Sequence, residues 1–162
     1  MKIILFSFLF FTGLAAKAQQ VSVPDLFGML EWPHQRIDTS LKKMGYLLMQ
    51  KDMDSVSSIY QYSHLDRNEE KPTTVRSLVY MDVKSGNLSS RLITYRTYSQ
   101  DEFVSIASWL LENGYKTKEK FDFGNQKHTV YTNGKEIIRM KVITTEIEEG
   151  KVFISYELEL GK

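Results

Sequence analysis

Ile37-Asp38-Thr39-Ser40-Leu41-Lys42-Lys43-Met44-Gly45-Tyr46 is echoed sixty-nine residues on by Ile106-Ala107-Ser108-Trp109-Leu110-Leu111-Glu112-Asn113-Gly114-Tyr115. In each copy an isoleucine and a leucine four residues apart share one helical face. A glycine follows four positions later, where a left-handed residue ends a helix at no steric cost. Tyrosine then opens a stretch of mostly strand-like sequence. Two helix-then-sheet repeats within one domain are the expected fold.

Outward from the first copy, Ser22-Val23-Pro24-Asp25 reads as a helix entrance, with Ser22 as cap, Pro24 near the first turn and Asp25 favourable to the helix dipole. Leu26, Met29 and Leu30 give that helix an apolar stripe. Trp32-Pro33 ends or kinks it, because proline lacks the N–H and disfavours helix geometry in the residue before it. A second helix is expected over 34–44, then strands over 46–51, 55–63, 76–84 and 90–98, the last two joined by the turn Ser85-Gly86-Asn87. Residues 64–74 form the longest polar stretch and read as a linking loop.

Around the second copy, Ser99 and Glu102 match a capping box. Phe103, Ile106, Ala107 and Leu110 fall on one helical face. Strands are expected over 116–123 and 126–132 across Gly124-Asn125, then over 135–147 after the hairpin turn Asn133-Gly134. Glu148-Glu149-Gly150 suits a three-residue hairpin loop with a glycine bulge. If Ile147 and Lys151 close that loop, Ile138, Met140 and Val142 oppose Leu160, Leu158 and Tyr156. Arg139 then faces Glu159 and Lys141 faces Glu157. Apolar alternation and charge complementarity select the same register, as a half-buried antiparallel sheet requires.

The N-terminus has its own signature. Lys2 precedes the nearly unbroken apolar run of residues 3–14, and Ala16-Lys17-Ala18 offers small residues at the positions read by a signal peptidase. The run is short for a bilayer span. A cleaved export signal over 1–18 is expected, leaving a soluble periplasmic or secreted chain of residues 19–162 with no membrane insertion. Its organisation would be a first repeat over 19–98 and a second over 99–162, in one compact domain.

Composition narrows the function classes. The whole chain has 162 residues, 42% hydrophobic, with 21 basic against 20 acidic side chains. That balance implies no nucleic-acid partner. Cysteine is absent, so disulfides, thiol nucleophiles and cysteine metal sites are excluded. His34, His64 and His128 are not at metal-ligand spacings, no nucleophile-elbow or glycine-rich phosphate loop occurs, and no metal or cofactor is expected. Glu69-Glu70 and Glu148-Glu149 read as solvated turn residues, and Glu157 and Glu159 have cross-strand partners. A non-enzymatic protein is the expectation.

Tyrosine carries the more pointed signal. Tyr60, Tyr62, Tyr80, Tyr95, Tyr98 and Tyr131 fall on expected strands, and tyrosine and arginine dominate binding hot spots. The binding candidates are Tyr60, Tyr62, Tyr80, Arg96, Tyr98 and Arg139. About half of the strand tyrosines are expected in the core instead.

The whole reads as α+β: two tandem helix–four-strand repeats forming one antiparallel sheet with helices on one face. That layout resembles the β-lactamase inhibitory protein family, whose secreted members grip an enzyme with the open face of such a sheet. PepSY-like domains are similar in outline. The resemblance is topological and brings over no functional residue, and the absence of cysteine departs from the disulfide-bearing inhibitors. It implies recognition of a protein or peptide through the open face. The alternative is a small-ligand-binding envelope protein or envelope enzyme with a pocket between helices and sheet.

Overall fold

The computed structural model describes residues 20–66, 73–148 and 150–162. The expected export signal and the centre of the 64–74 stretch lie outside the described residues, as does Glu149 between the last two strands. Three helices and eight strands follow in the order α1 (Val23–Met29), α2 (His34–Lys43), β1 (Leu47–Met53), β2 (Ser57–Asp66), β3 (Thr73–Ser85), β4 (Leu88–Thr97), α3 (Gln100–Glu112), β5 (Lys116–Phe123), β6 (Gln126–Thr132), β7 (Ile137–Glu148) and β8 (Lys151–Gly161). All strands join one antiparallel sheet in the order β1-β2-β3-β4-β8-β7-β6-β5. The fold is therefore α+β. Two four-strand meanders meet where β4 pairs with β8.

The echoed stretch has the same local structure at both places. Tyr46 N donates to Leu41 O at 3.0 Å and Gly45 N to Lys42 O at 3.0 Å; Tyr115 N donates to Leu110 O at 3.0 Å and Gly114 N to Leu111 O at 3.2 Å. These paired bonds satisfy helix-end carbonyls and define a Schellman cap. Gly45 and Gly114 adopt φ of 85° and 84°, a region closed to most side chains. Each cap turns its tyrosine inward, so Tyr46 and Tyr115 are buried beside Leu41 and Leu110. The edge strands that follow are irregular at matching positions, Leu48/Gln50 in β1 and Thr117/Glu119 in β5.

Helix starts follow the sequence closely. Ser22 Oγ accepts from Asp25 N at 3.2 Å and Ser99 Oγ from Glu102 N at 3.3 Å. The expected capping box is only half formed, however. Glu102 does not return to the Ser99 amide, which donates instead to Thr97 Oγ1 at 3.2 Å. Its carboxylate turns under the helix and accepts from Arg76 Nε and Thr97 Oγ1, both at 2.9 Å, and from the Tyr95 hydroxyl. Between α1 and α2 the chain turns over Trp32, and Arg91 on β4 donates to the Leu30 and Trp32 carbonyls at 3.0 and 3.2 Å.

Alternation along the strands divides the sheet into two faces. Tyr60 and Tyr62, Leu78 and Tyr80, Ile93 and Tyr95, Ile138 and Met140, Leu158 and Leu160 pack against α1, α2 and α3 as one core. The β7–β8 register is the expected one from Ile138↔Leu160 to Glu146↔Val152. Beyond that it shifts, because a bulge beside Ile147 sets Lys151 against Glu148. The polar stretch after His64 is shorter as a loop than expected: β2 continues to Asp66 and β3 begins at Thr73, lengthening the first hairpin at its expense.

Candidate functional site

On the face away from the helices, the three central strands carry a ladder of charges. Arg96 on β4 opposes Glu157 on β8, which opposes Lys141 on β7; Arg139 opposes Glu159 one step along. Arg96 Nη2 donates to Glu157 Oε2 at 2.7 Å and Lys141 Nζ to Glu157 Oε1 at 2.8 Å. Lys141 also contacts Glu159, which accepts from Arg139 Nη1 at 3.2 Å. Glu157 is only 5% exposed. Burial opposes its charge, but the bonds from Lys141 and Arg96 outweigh that and hold its carboxyl below the usual carboxylate range. Lys141 is the mirror case: burial works against its ammonium, and Glu157 and Glu159 raise it nonetheless. Each charge of the ladder has an opposite charge within hydrogen-bond reach.

Apolar groups flank the ladder. Tyr98 lies against Phe153 with ring centroids 5.0 Å apart. Toward the β5 edge, Phe121 stacks on His128 at 4.6 Å, and Phe123 is 73% exposed. Both His128 ring nitrogens are buried and make no hydrogen bond. On the other side, Ile59, Met81 and Leu92 face one another across β2, β3 and β4. The three aliphatic side chains retain partial to substantial exposure. The face thus combines partly exposed aromatics with a charge network buried at its centre, Lys141 and Glu157, and about half exposed at its ends, Arg96 and Arg139.

The binding candidates divide cleanly. Arg96, Tyr98 and Arg139 lie on this open face, and Arg96 and Arg139 share the ladder. Tyr60, Tyr62 and Tyr80 do not; they are buried at 7%, 0% and 1% exposure beneath the helices. Of the six tyrosines expected on strands only Tyr98, just past the end of β4, stays out of the core, more than the expected half having gone inside. The physical reason lies in β2, where Ile59 alternates with Tyr60 and either parity offers an apolar face. The core takes the larger rings because they bury more area. Lys141 and Glu157 belong to the face through the expected β7–β8 register, and only the β4–β8 pairing that brings Arg96 to Glu157 was hidden. Phe121, His128 and Phe153 carried no signal beyond aromatic content.

The other two histidines sit on the helix side. His34 stacks on Tyr60 at 3.6 Å and lies 3.0 Å from the Tyr62 hydroxyl, which donates to Asp38 at 3.2 Å. His64 packs edge-on against Tyr46. Burial lowers both from 6.5; Asp38 opposes it at His34 without prevailing, and Arg76 adds to it at His64. Each therefore protonates at lower pH in the fold than in the unfolded chain. Their contribution to stability is fully present above about pH 6.5 and is lost as pH falls through the lower folded values. Thermal midpoints are expected to fall between about pH 7 and 5.5, and to fall less in a His34→Gln, His64→Gln double variant. An equal slope in both proteins would contradict this.

Among the described residues no group of three histidine or acidic side chains could hold a metal, and no helix is long and apolar enough to cross a membrane. No family model, curated protein or solved structure matches the chain.

Proposed function

We propose that this is an exported, non-enzymatic binding protein that recognises a protein or peptide through the open face of its sheet. The observation that carries the reading is the Arg96–Glu157–Lys141–Glu159–Arg139 ladder, flanked by Tyr98 with Phe153 and by Phe121 and Phe123 on a face that no described helix packs against. Export to the periplasm or beyond rests on the sequence of residues 1–18. The two helix-plus-sheet units are proposed as a tandem repeat, supported by the matching caps at Gly45 and Gly114 and the matching irregularities in β1 and β5. The resemblance in layout to β-lactamase inhibitory proteins belongs to the same proposal.

The test compares capture of envelope proteins by immobilised residues 19–162 with capture by two variants. Tyr98→Ala with Phe153→Ala is expected to weaken retention of the bound partner by roughly 30-fold or more, the loss typical of a hot spot. Val104→Ala with Leu111→Ala changes two exposed apolar residues on the outer side of α3 and should leave capture intact. Equal retention by all three proteins would defeat the open-face reading. The second reading, small-ligand binding between helices and sheet, has one observation in its favour: a pocket between α1 and the ends of β7 and β8.

A further inference from the structure

We infer that the partner segment seated on the open face is acidic, an extended peptide stretch with two carboxylates about four residues apart that bind Arg96 and Arg139. This rests on the open-face reading and names the chemistry of what that face takes. The ladder sets three cations, Arg96, Arg139 and Lys141, against two anions, Glu157 and Glu159, and so carries one positive charge in excess. Exposure sharpens the imbalance. The Glu157 and Glu159 side chains are 6% and 21% exposed and each is engaged by two cations, whereas those of Arg96 and Arg139 are 42% and 47% exposed.

What the ladder presents outward is therefore guanidinium. A guanidinium has five N–H donors in a planar fork. Arg96 uses two of them on Glu157 and Arg139 one on Glu159, which leaves both able to take a carboxylate from outside. The other charges of this face stand on its edge strands. On β5, Glu119 lies across Val130 from Arg139 and, among the described residues, has no ion pair; Lys116 on the same side of that strand offsets its charge. Asp52 lies on β1, three strands from Arg96.

Spacing narrows the segment further. Arg96 and Arg139 lie on strands separated by β8 and one side-chain step apart along it, which places their Cα atoms about 12 Å apart. In an extended peptide, residues four apart share a face and span about 13 Å. Tyr98 with Phe153 beyond Arg96, and Phe121 with Phe123 toward β5, give apolar side chains of the same segment a place on either side. A uniformly charged polyanion would leave those aromatic flanks unused and would meet Glu119. The mixed surface fits a protein segment.

The experiment titrates the full-length mature chain with three short peptides, by calorimetry and by NMR of the arginine Nε–H signals. One is acetyl-Phe-Ser-Glu-Ser-Gly-Ser-Glu-Ser-Phe-amide, and its counterparts carry glutamine or lysine in both glutamate positions. The glutamate form is expected to bind one-to-one, roughly tenfold tighter than the glutamine form, with the lysine form weaker again. Arg139→Gln should narrow the gap between the glutamate and glutamine forms roughly 3-fold or more. Glu159 keeps Lys141 in that variant, so the fold is retained. Lys43→Gln, which removes an exposed cation on α2, should leave the gap as it is.

Absence of saturable binding by the glutamate form, equal affinity for either counterpart, or a gap indifferent to Arg139→Gln would each overturn the inference. So would a heparin hexasaccharide that binds at these arginines more tightly than the glutamate form, which would make the surface a polyanion site. The open-face reading is decided separately, by capture with the Tyr98→Ala, Phe153→Ala variant. A partner held through that pair while the glutamate form fails would leave the reading standing and its acidic chemistry refuted.

Discussion

Glu102→Ala is expected to destabilise the protein by about 3–5 kcal/mol, the loss typical when one partner of a buried ion pair is removed. The side chains of Glu102 and Arg76 are 4% and 16% exposed. Truncation strands the Arg76 guanidinium away from bulk water, and it removes the acceptor that Thr97 Oγ1 and the Tyr95 hydroxyl share. Those donors sit deep in the core, with Tyr95 1% and Thr97 2% exposed. The Tyr95 oxygen keeps the long hydrogen bond from the Tyr46 hydroxyl, at 3.5 Å. The measurement is urea unfolding followed by circular dichroism, with the midpoint shift read at constant slope. Glu102→Gln keeps an acceptor oxygen and should lose less, with the same sign.

The control that separates charge stranding from simple packing loss is the double variant Arg76→Leu, Glu102→Leu. Replacing both members of a buried pair by apolar groups is often nearly neutral. The double variant should therefore recover most of what Glu102→Ala loses, a strong coupling in a mutant cycle. A loss below about 1 kcal/mol in Glu102→Ala would mean that water reaches Arg76 freely and that the cluster does not hold α3 to the sheet.

Glu102 also marks where reading the sequence fails. Serine with a glutamate three residues on is a surface pattern, and it located the start of α3 correctly through Ser99. What no local pattern contains is that β3 brings Arg76 under the first turn of α3, so that the glutamate gains more from a buried cation than from its own helix end. The same limit governs the open face. Arg139, Lys141, Glu157 and Glu159 were legible because two strands joined by a short loop define their own register, and charge and apolarity agreed on it. Arg96 joins them only through β4 and β8, separated by the whole second helix-plus-sheet unit, and sequence carries no register across that distance. Tyr60, Tyr62 and Tyr80, binding candidates by sequence, lie in the core for a different reason: tyrosine is amphipathic, and a strand that alternates it with isoleucine and serine has no decisive apolar side. Glycine was the better guide. Gly45 and Gly114 ended their helices as read, because positive φ is a backbone demand that few other residues meet.

Leu41→Ala and Leu110→Ala should each lower stability by about 2–5 kcal/mol, and each should do so for the entire chain. Both leucines are 0% exposed and each lies under its own Schellman cap, so the cavities left behind are comparable. Whether the halves can respond separately depends on what joins them. β4 pairs with β8 over six residue pairs from Leu92↔Gly161 to Thr97↔Tyr156, which makes one sheet. α1 strengthens the link: it precedes the first meander, yet its Phe27 packs on Trp109 and Tyr115 of the second unit. Removing either half would expose core on the other. Trp32 and Trp109 report the two halves independently once the other is replaced, in Trp109→Phe and Trp32→Phe backgrounds. The expected result is a single unfolding transition at one midpoint for both probes, displaced equally by Leu41→Ala and by Leu110→Ala. If Leu41→Ala moved the Trp32 transition and left the Trp109 midpoint in place, the two units would be independent domains. The continuous sheet would then be only a contact between them. With a total stability of about 5–15 kcal/mol for a domain of this class, either substitution removes a large enough share to make the answer clear.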